Sequence, residues 1–410
     1  MEIDLQRAIL ALSGALDFVG VDEVHHGRRV ALMAAGIARE LAWDDGRVND
    51  LIYGGLLHDC GVSRHREHRQ LSETLEWEGA QAHCLRGEEF LLACPPLARF
   101  APMVRWHHTR WEHLPDGVPG SHDRMATNLI FLADRTDTLL AGYVLGDTLR
   151  NDILWEFPAI VDRIAALAGT LFAPELVDGF RGAAAGESFW LCLDPGYIED
   201  ELADRLRRAP PVPLRSRDAL AVATLFARTV DAKSVYTLEH STRVARIARY
   251  LGKVSGIAGD ALDQLEIAAL LHDIGKLRVP EEIIDKPGPL TREERAVVTR
   301  HSYDTGRILR KVFPTQAIPD WASMHHENLL GTGYPSRSPA TDIPREARLI
   351  TVADIFQALS QDRPYRRRLT ADGVIAHLDA LLAQGRIDAG MVELARAHLL
   401  PCYAMAIGEG

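Results

Sequence analysis

The chain is 410 residues long, too long for one ordinary hydrophobic core, so two or three domains are expected. Hydrophobic residues at 47% and charged residues at 25% are the balance of a globular protein and exclude a mainly disordered one. Asp and Glu outnumber Lys and Arg by 57 to 46, a net charge of −11 that argues against a nucleic-acid polymer or an anionic membrane surface as partner. No apolar run reaches the ~18 to 20 residues of a membrane helix, and the N-terminus lacks a signal-peptide layout. Cys60, Cys84, Cys94, Cys192 and Cys402 are odd in number with no CxxC spacing, so reduced thiols and a cytoplasmic location are expected.

In chain order, the first segments carry a helical pattern. Val30, Met33 and Ile37 recur on one helix face, with His26 four residues ahead of Val30. His58-Asp59, His83, His107-His108 and Asp134 follow. Pro210, Pro211 and Pro213 then favour extended chain, so a linker is expected at 206–215, between modules at 1–205 and 216–410. Beyond it, Val244, Ile247, Ala248 and Leu251 repeat the buried stripe with His240 four residues ahead. Leu262, Leu265 and Ala269 then lead an apolar face to His272. Strand periodicity is nearly absent, and the expected fold class is all-α, with two tandem helical bundles.

Seventeen histidines fall in two blocks, between 25 and 122 and between 240 and 398. The step from His26 to His58 is 32 residues, as is that from His240 to His272. The step from His83 to His107 is 24, as is that from His301 to His325. Only two intervals differ: 25 against 29 residues from His58 or His272 to the next ligand-type histidine, and 26 against 28 from His108 or His326 to Asp134 or Asp354. With LLHDCG beside LLHDIG and WHH beside MHH, the chain reads as two copies of one module.

Imidazoles and carboxylates on several helices suit a centre of Fe, Mn, Zn, Ni or Co. A lone histidine on an apolar face is ordinarily a core residue; seven ligand-type residues on five segments, repeated in register, are not. Asp354 interrupts the apolar run around Val352, Ala353, Ile355 and Phe356, where an unpaired carboxylate would cost several kcal/mol, so a cation is expected beside it.

His240-Ser, Leu271-His-Asp-Ile-Gly-Lys276, Pro280, His301, the run from His325 to Pro335, Ala353-Asp354 and Asp362-Arg-Pro-Tyr-Arg366 together resemble the HD-GYP family of the HD phosphohydrolase superfamily. The resemblance implies a helical bundle, divalent metals (Fe or Mn first, with Ni, Co or Zn as alternatives) and hydrolysis of a cyclic dinucleotide. By position it assigns His240, His272, Asp273 and Asp354 to one ion, and the bridging Asp273 with His301, His325 and His326 to the other. Tyr236 stands where some members have an additional Glu ligand, so two ions are expected. Asn328 stands where the family often has Arg.

Two ions ~3.5 to 4 Å apart can hold a bridging hydroxide for in-line attack on a phosphodiester. Lys276, one turn beyond Asp273, is expected to neutralise charge in the transition state, and Asp273 and Lys276 are the expected catalytic residues. Gly333, Tyr334 and Pro335 of a tight loop, with Lys276, Arg363 and Arg366, are the expected substrate-binding residues.

The N-terminal module resembles a degenerate HD domain. It keeps His26, His58, Asp59, His83, His107, His108 and Asp134, a second candidate metal site, but Val62 replaces the lysine and 116–120 replaces the Gly-Tyr-Pro loop. His65, His68, His113 and His122 are expected to be solvated. The expected function is bacterial signalling through hydrolysis of cyclic di-GMP or 3′,3′-cyclic GMP-AMP to a linear dinucleotide or mononucleotides. The alternative is a non-catalytic cyclic-dinucleotide sensor. The expected partner is the dinucleotide itself, with a homodimer left open.

Overall fold

A computed structural model describes residues 3–19, 25–115, 124–146, 148–207, 211–234, 239–362 and 366–409. The chain divides into two compact units, Asp4–Val212 and Pro213–Gly410, the latter taking in Met1–Ile3 as well. Both are helical; among the described residues no strand exceeds two residues. No described helix is long and apolar enough to cross a membrane.

In the N-terminal unit the ligand-type residues sit on α1 (His26–Glu40), just past the end of α2 (Asp45–Leu57), on α3 (Gln81–Leu92), just past the end of α4 (Ala101–Trp106) and on α5 (Arg124–Leu140). Helix α1 lies against α2 and α5, and α3 against α4. Asp44 starts α2 by accepting from the Arg47 N–H, one of the free donors of a helix N-terminus.

The C-terminal unit repeats the plan with α6 (Ser216–Asp231), α7 (His240–Val254), α8 (Asp260–Leu271), α9 (Arg292–Val312), α10 (Ile318–Ser323) and α11 (Arg345–Leu359). Val244, Ile247 and Leu251 are fully buried where α7 meets α8 and α11. Burial of such side chains is worth about 1.5–3 kcal/mol each. A capping box, in which Thr291 and Glu294 satisfy each other's backbone N–H, starts α9.

The glycine after each His-Asp pair is required by a close approach. A Cβ on Gly275 would stand 2.1 Å from the His301 carbonyl oxygen, and one on Gly61 would stand 2.1 Å from that of His83. The helix carrying the third histidine therefore crosses directly over the turn carrying the His-Asp pair. In the C-terminal unit Thr305 fastens this crossing: its Oγ1 donates to the His272 carbonyl at 3.0 Å and accepts from the Gly275 N–H at 3.1 Å.

Candidate metal centres and cleft

In the C-terminal unit four imidazoles are turned the same way. His240 Nδ1 faces Gln357 Oε1 at 2.6 Å, His272 Nδ1 faces the Ala269 carbonyl at 2.8 Å, and His325 Nδ1 faces that of Ala322 at 2.6 Å. His301 Nδ1 faces the carbonyl of Val298. A carbonyl oxygen can only accept, so in each ring Nδ1 carries the proton and Nε2 presents a lone pair.

Those lone pairs converge. The Nε2 atoms of His240 and His272 are 3.4 Å apart, and those of His301 and His325 are 3.3 Å apart. Asp273 stands between the two pairs: Oδ2 lies 3.5 Å from His240 and 3.3 Å from His272, and Oδ1 lies 3.4 Å from His301 and 3.7 Å from His325. Asp354 Oδ1 completes the first group, 3.4 Å from His240 Nε2. His326 joins His301 and His325 in the second. Asp273 Oδ1 is buried without a hydrogen-bond partner, an acceptor that a bound metal ion would satisfy. The donor set fits two divalent ions sharing Asp273, because imidazole nitrogen and carboxylate oxygen are the ligands such ions take.

Burial removes the charge from several of these rings, taking His301 to about 3 and His326 to about 4 and leaving their lone pairs free. For His272 burial opposes protonation, but the neighbouring Asp273 and Asp354 prevail and raise it to about 9. Burial also opposes ionisation of Asp273, yet His272 and Lys276 hold it well below the usual carboxylate range.

Lys276 Nζ donates to Asp273 Oδ2 at 2.5 Å and keeps 29% of its side chain exposed. It faces an open cleft of about 410 Å³, also lined by Lys286 and Arg366 and walled by Val279, Ile283, Ile284, Leu290, Val298 and Leu359. Arg366 is fixed at the end of α11 by the Ala358 and Leu359 carbonyls. The Gly-Tyr-Pro loop sits differently. Gly333 is buried against the 326–328 backbone, and the Tyr334 ring lies 4.8 Å from that of His326. Glu327 holds the loop by accepting from the N–H groups of Ser336 and Ser338, and Asn328 Oδ1 accepts from those of Leu330 and Thr332. Asn328 is thus spent within the loop. Arg363, Tyr236, His122 and residues 116–120 lie outside the described residues.

The N-terminal unit brings its seven residues into the same constellation. His26 and His58 Nε2 are 3.2 Å apart, as are those of His83 and His107. Asp59 again stands between, Oδ2 at 3.5 Å from His58 and Oδ1 at 3.4 Å from His83, and that Oδ1 is buried without a partner. Asp134 Oδ1 lies 3.4 Å from His26. The surroundings differ. The crevice beside this centre, a cavity of only about 20 Å³, is lined by Asp17, Val62 and His68 among others, and among the described residues by no lysine or arginine. Of the histidines expected to be solvated, His113 is exposed, whereas His65 is buried at the start of helix His65–Glu73 and His68 lies near His26. Both were misread because the polar run His65–Gln70 conceals a helix that turns them inward.

Sequence reasoning passed over Gln357 and Asp137, which orient the first histidine of each centre, His26 Nδ1 facing Asp137 Oδ2 at 2.7 Å. Each lies three residues beyond the last ligand on the same helix, a spacing that could have revealed them. It also passed over Lys233, whose buried Nζ donates to the Leu277 carbonyl at 2.6 Å and is lowered to about 7 by burial.

A helical scaffold that gathers five histidines and two aspartates around a shared carboxylate, beside a cationic cleft, defines a metal-dependent phosphohydrolase of the HD type. Family models described as HD domain match residues 24–141 and 224–391. The chain is 35% identical to the 3′3′-cGAMP-specific phosphodiesterase 1 of Vibrio cholerae, over 99% of this chain and 94% of that protein. It is 33% identical to the cyclic di-GMP phosphodiesterase response regulator RpfG of Xanthomonas campestris over 40% of this chain and 44% of that one. A crystal structure of a cyclic GMP-AMP specific phosphodiesterase of V. cholerae shares the fold, with a TM-score of 0.64, 24% identity and 98% of each chain covered. The chain belongs to the HD-GYP family of phosphodiesterases.

Proposed function

We propose that this chain opens a cyclic dinucleotide, cyclic di-GMP or 3′,3′-cyclic GMP-AMP, at the metal centre of its C-terminal unit. The observation that carries the reading is the converging lone pairs around Asp273 at the edge of a cleft furnished with Lys276 and Arg366. Two phosphates and two bases need cationic and apolar surface together, and this cleft offers both within the size range of small-molecule sites. The similarity to a 3′3′-cGAMP-specific enzyme over nearly the whole chain supports the cyclic GMP-AMP alternative.

Two divalent ions, iron or manganese first, would be held by His240, His272, Asp273 and Asp354 and by Asp273, His301, His325 and His326; when bound, they supply an acidified water and a clamp on phosphoryl oxygens. The chain's own groups do the rest. Hydrogen bonds donated by Nδ1 fix the rings of His240, His272, His301 and His325 before substrate arrives, so no reorganisation is needed at the moment of reaction. Lys276 sits at the boundary between Asp273 and the cleft, where negative charge grows on the phosphoryl oxygens. Arg366 offers the second phosphate a guanidinium already held in place, and the Ile283, Ile284 and Leu290 wall shelters a base. Gly333 and Tyr334 act from behind by keeping His326 in position. We assign residues 1–205 no part in the cleavage, because Val62 stands where the reaction needs a lysine.

The test is product analysis on both cyclic dinucleotides alongside metal content of the purified chain. A linear dinucleotide or mononucleotides from at least one substrate, abolished together with C-terminal metal in Asp273→Ala, is expected. Full metal loading with tight binding and no product would instead establish the non-catalytic sensor.

A further inference from the structure

The two centres share their ligands but not the residue after the last one. In the C-terminal unit Ile355 follows Asp354, whose side chain keeps 15% of its surface exposed. In the N-terminal unit Arg135 follows Asp134, and Asp134 is 2% exposed. The Arg135 guanidinium donates twice to Asp134 Oδ2, at 3.1 and 2.8 Å, and reaches across to the carbonyls of Leu71 at 3.1 Å and Thr74 at 2.6 Å. Leu71 and Thr74 lie between Asp59 and His83, as the 279–290 wall of the open cleft lies between Asp273 and His301 in the other unit. One buried side chain thus ties the would-be cleft wall to the last ligand.

We propose that the N-terminal unit holds a metal centre of its own, on His26, His58, Asp59, His83, His107, His108 and Asp134, and that Arg135 bolts it shut against phosphodiesters. This rests on the assignment of hydrolysis to the C-terminal unit. Asp59 Oδ1, buried without a hydrogen-bond partner and 3.4 Å from His83 Nε2 and 3.7 Å from His107 Nε2, stands where a metal ion would be held, as its counterpart Asp273 Oδ1 does. Among the described residues the remaining crevice carries Asp17 and no lysine or arginine on its lining, a poor match for an anionic ester. Such a centre works as a clamp: it joins five segments and adds its binding free energy to folding.

The experiment uses the full-length chain carrying Asp273→Ala, which empties the other centre, and counts divalent ions by mass spectrometry before and during EDTA challenge. Up to two ions per chain are expected to remain, to leave slowly, and to lower the melting temperature when they go. Adding Arg135→Ile should speed their release about 10-fold or more, as expected for removing a group that supports a ligand. Arg135→Lys, which keeps the charge but cannot span Asp134 and the 71–74 carbonyls, should do the same if the first variant folds poorly. A metal-free Asp273→Ala chain overturns the centre; unchanged release from both Arg135 variants overturns the bolt. Neither result depends on product formation by the unmutated chain, so failure here is distinguishable from failure of the proposed activity.

Discussion

Four histidines in the C-terminal unit bring their Nε2 atoms together in two pairs, 3.4 and 3.3 Å apart, an arrangement that favours positive charge between them. The backbone imposes it, because α-helical carbonyls three residues earlier claim Nδ1 of His272, His301 and His325 and leave Nε2 no choice of direction. Lys276 is different in kind. It is not one of the seven ligand-type residues, and its ammonium pairs with Asp273, so removing it separates chemistry from metal binding. Lys276→Ala should keep its metals and lose roughly 10²- to 10³-fold in kcat, the range for deleting one group that stabilises developing charge. Steady-state kinetics with metal analysis checks this, and a rise in KM at constant kcat would make Lys276 a ground-state phosphate contact.

At the scale of elements, the loop from Asn328 to Pro335 acts as a brace. Gly333 leaves no room for a side chain: a Cβ there would stand 2.5 Å from the His326 carbonyl and 2.6 Å from the Glu327 Cα. Gly333→Ala must therefore push the loop off the backbone that carries His326. It should weaken metal binding about 10- to 100-fold, the usual cost of disturbing a ligand's support, with little loss of helix content. Competition with a chelator, read beside circular dichroism, tests both halves of the statement. The ligands were legible because a histidine at a helix end must sit at a spacing of three or four residues from the apolar stripe, as His240 does before Val244. The loop's task was not legible, since Gly-Thr-Gly-Tyr-Pro reads equally as a brace or as a substrate contact until the Tyr334 ring is found against His326. Arg135 was hidden for a related reason: its carbonyl partners at 71 and 74 are more than sixty residues away in sequence.

At the scale of the whole molecule, two units with matching ligand sets have been given different surroundings. His58→Ala with Asp59→Ala in the full chain should strip ions from the N-terminal centre and lower the melting temperature, while the ions of the C-terminal unit stay in place. Metal counting and calorimetry test this, and loss of all ions would mean that the two centres do not fill independently. The intervals between ligands show how one plan yielded two outcomes. Steps of 32 and 24 residues, which connect ligands of the same half-site, are equal in both copies. The steps that grew, from 25 to 29 and from 26 to 28, contain the cleft wall in the first case and the loop behind His326 in the second. Chain length has therefore changed only where no helix would be rotated out of phase with its ligand. A duplicated metalloprotein built this way can revise what it admits by lengthening or trimming two surface segments, leaving the inorganic core as inherited.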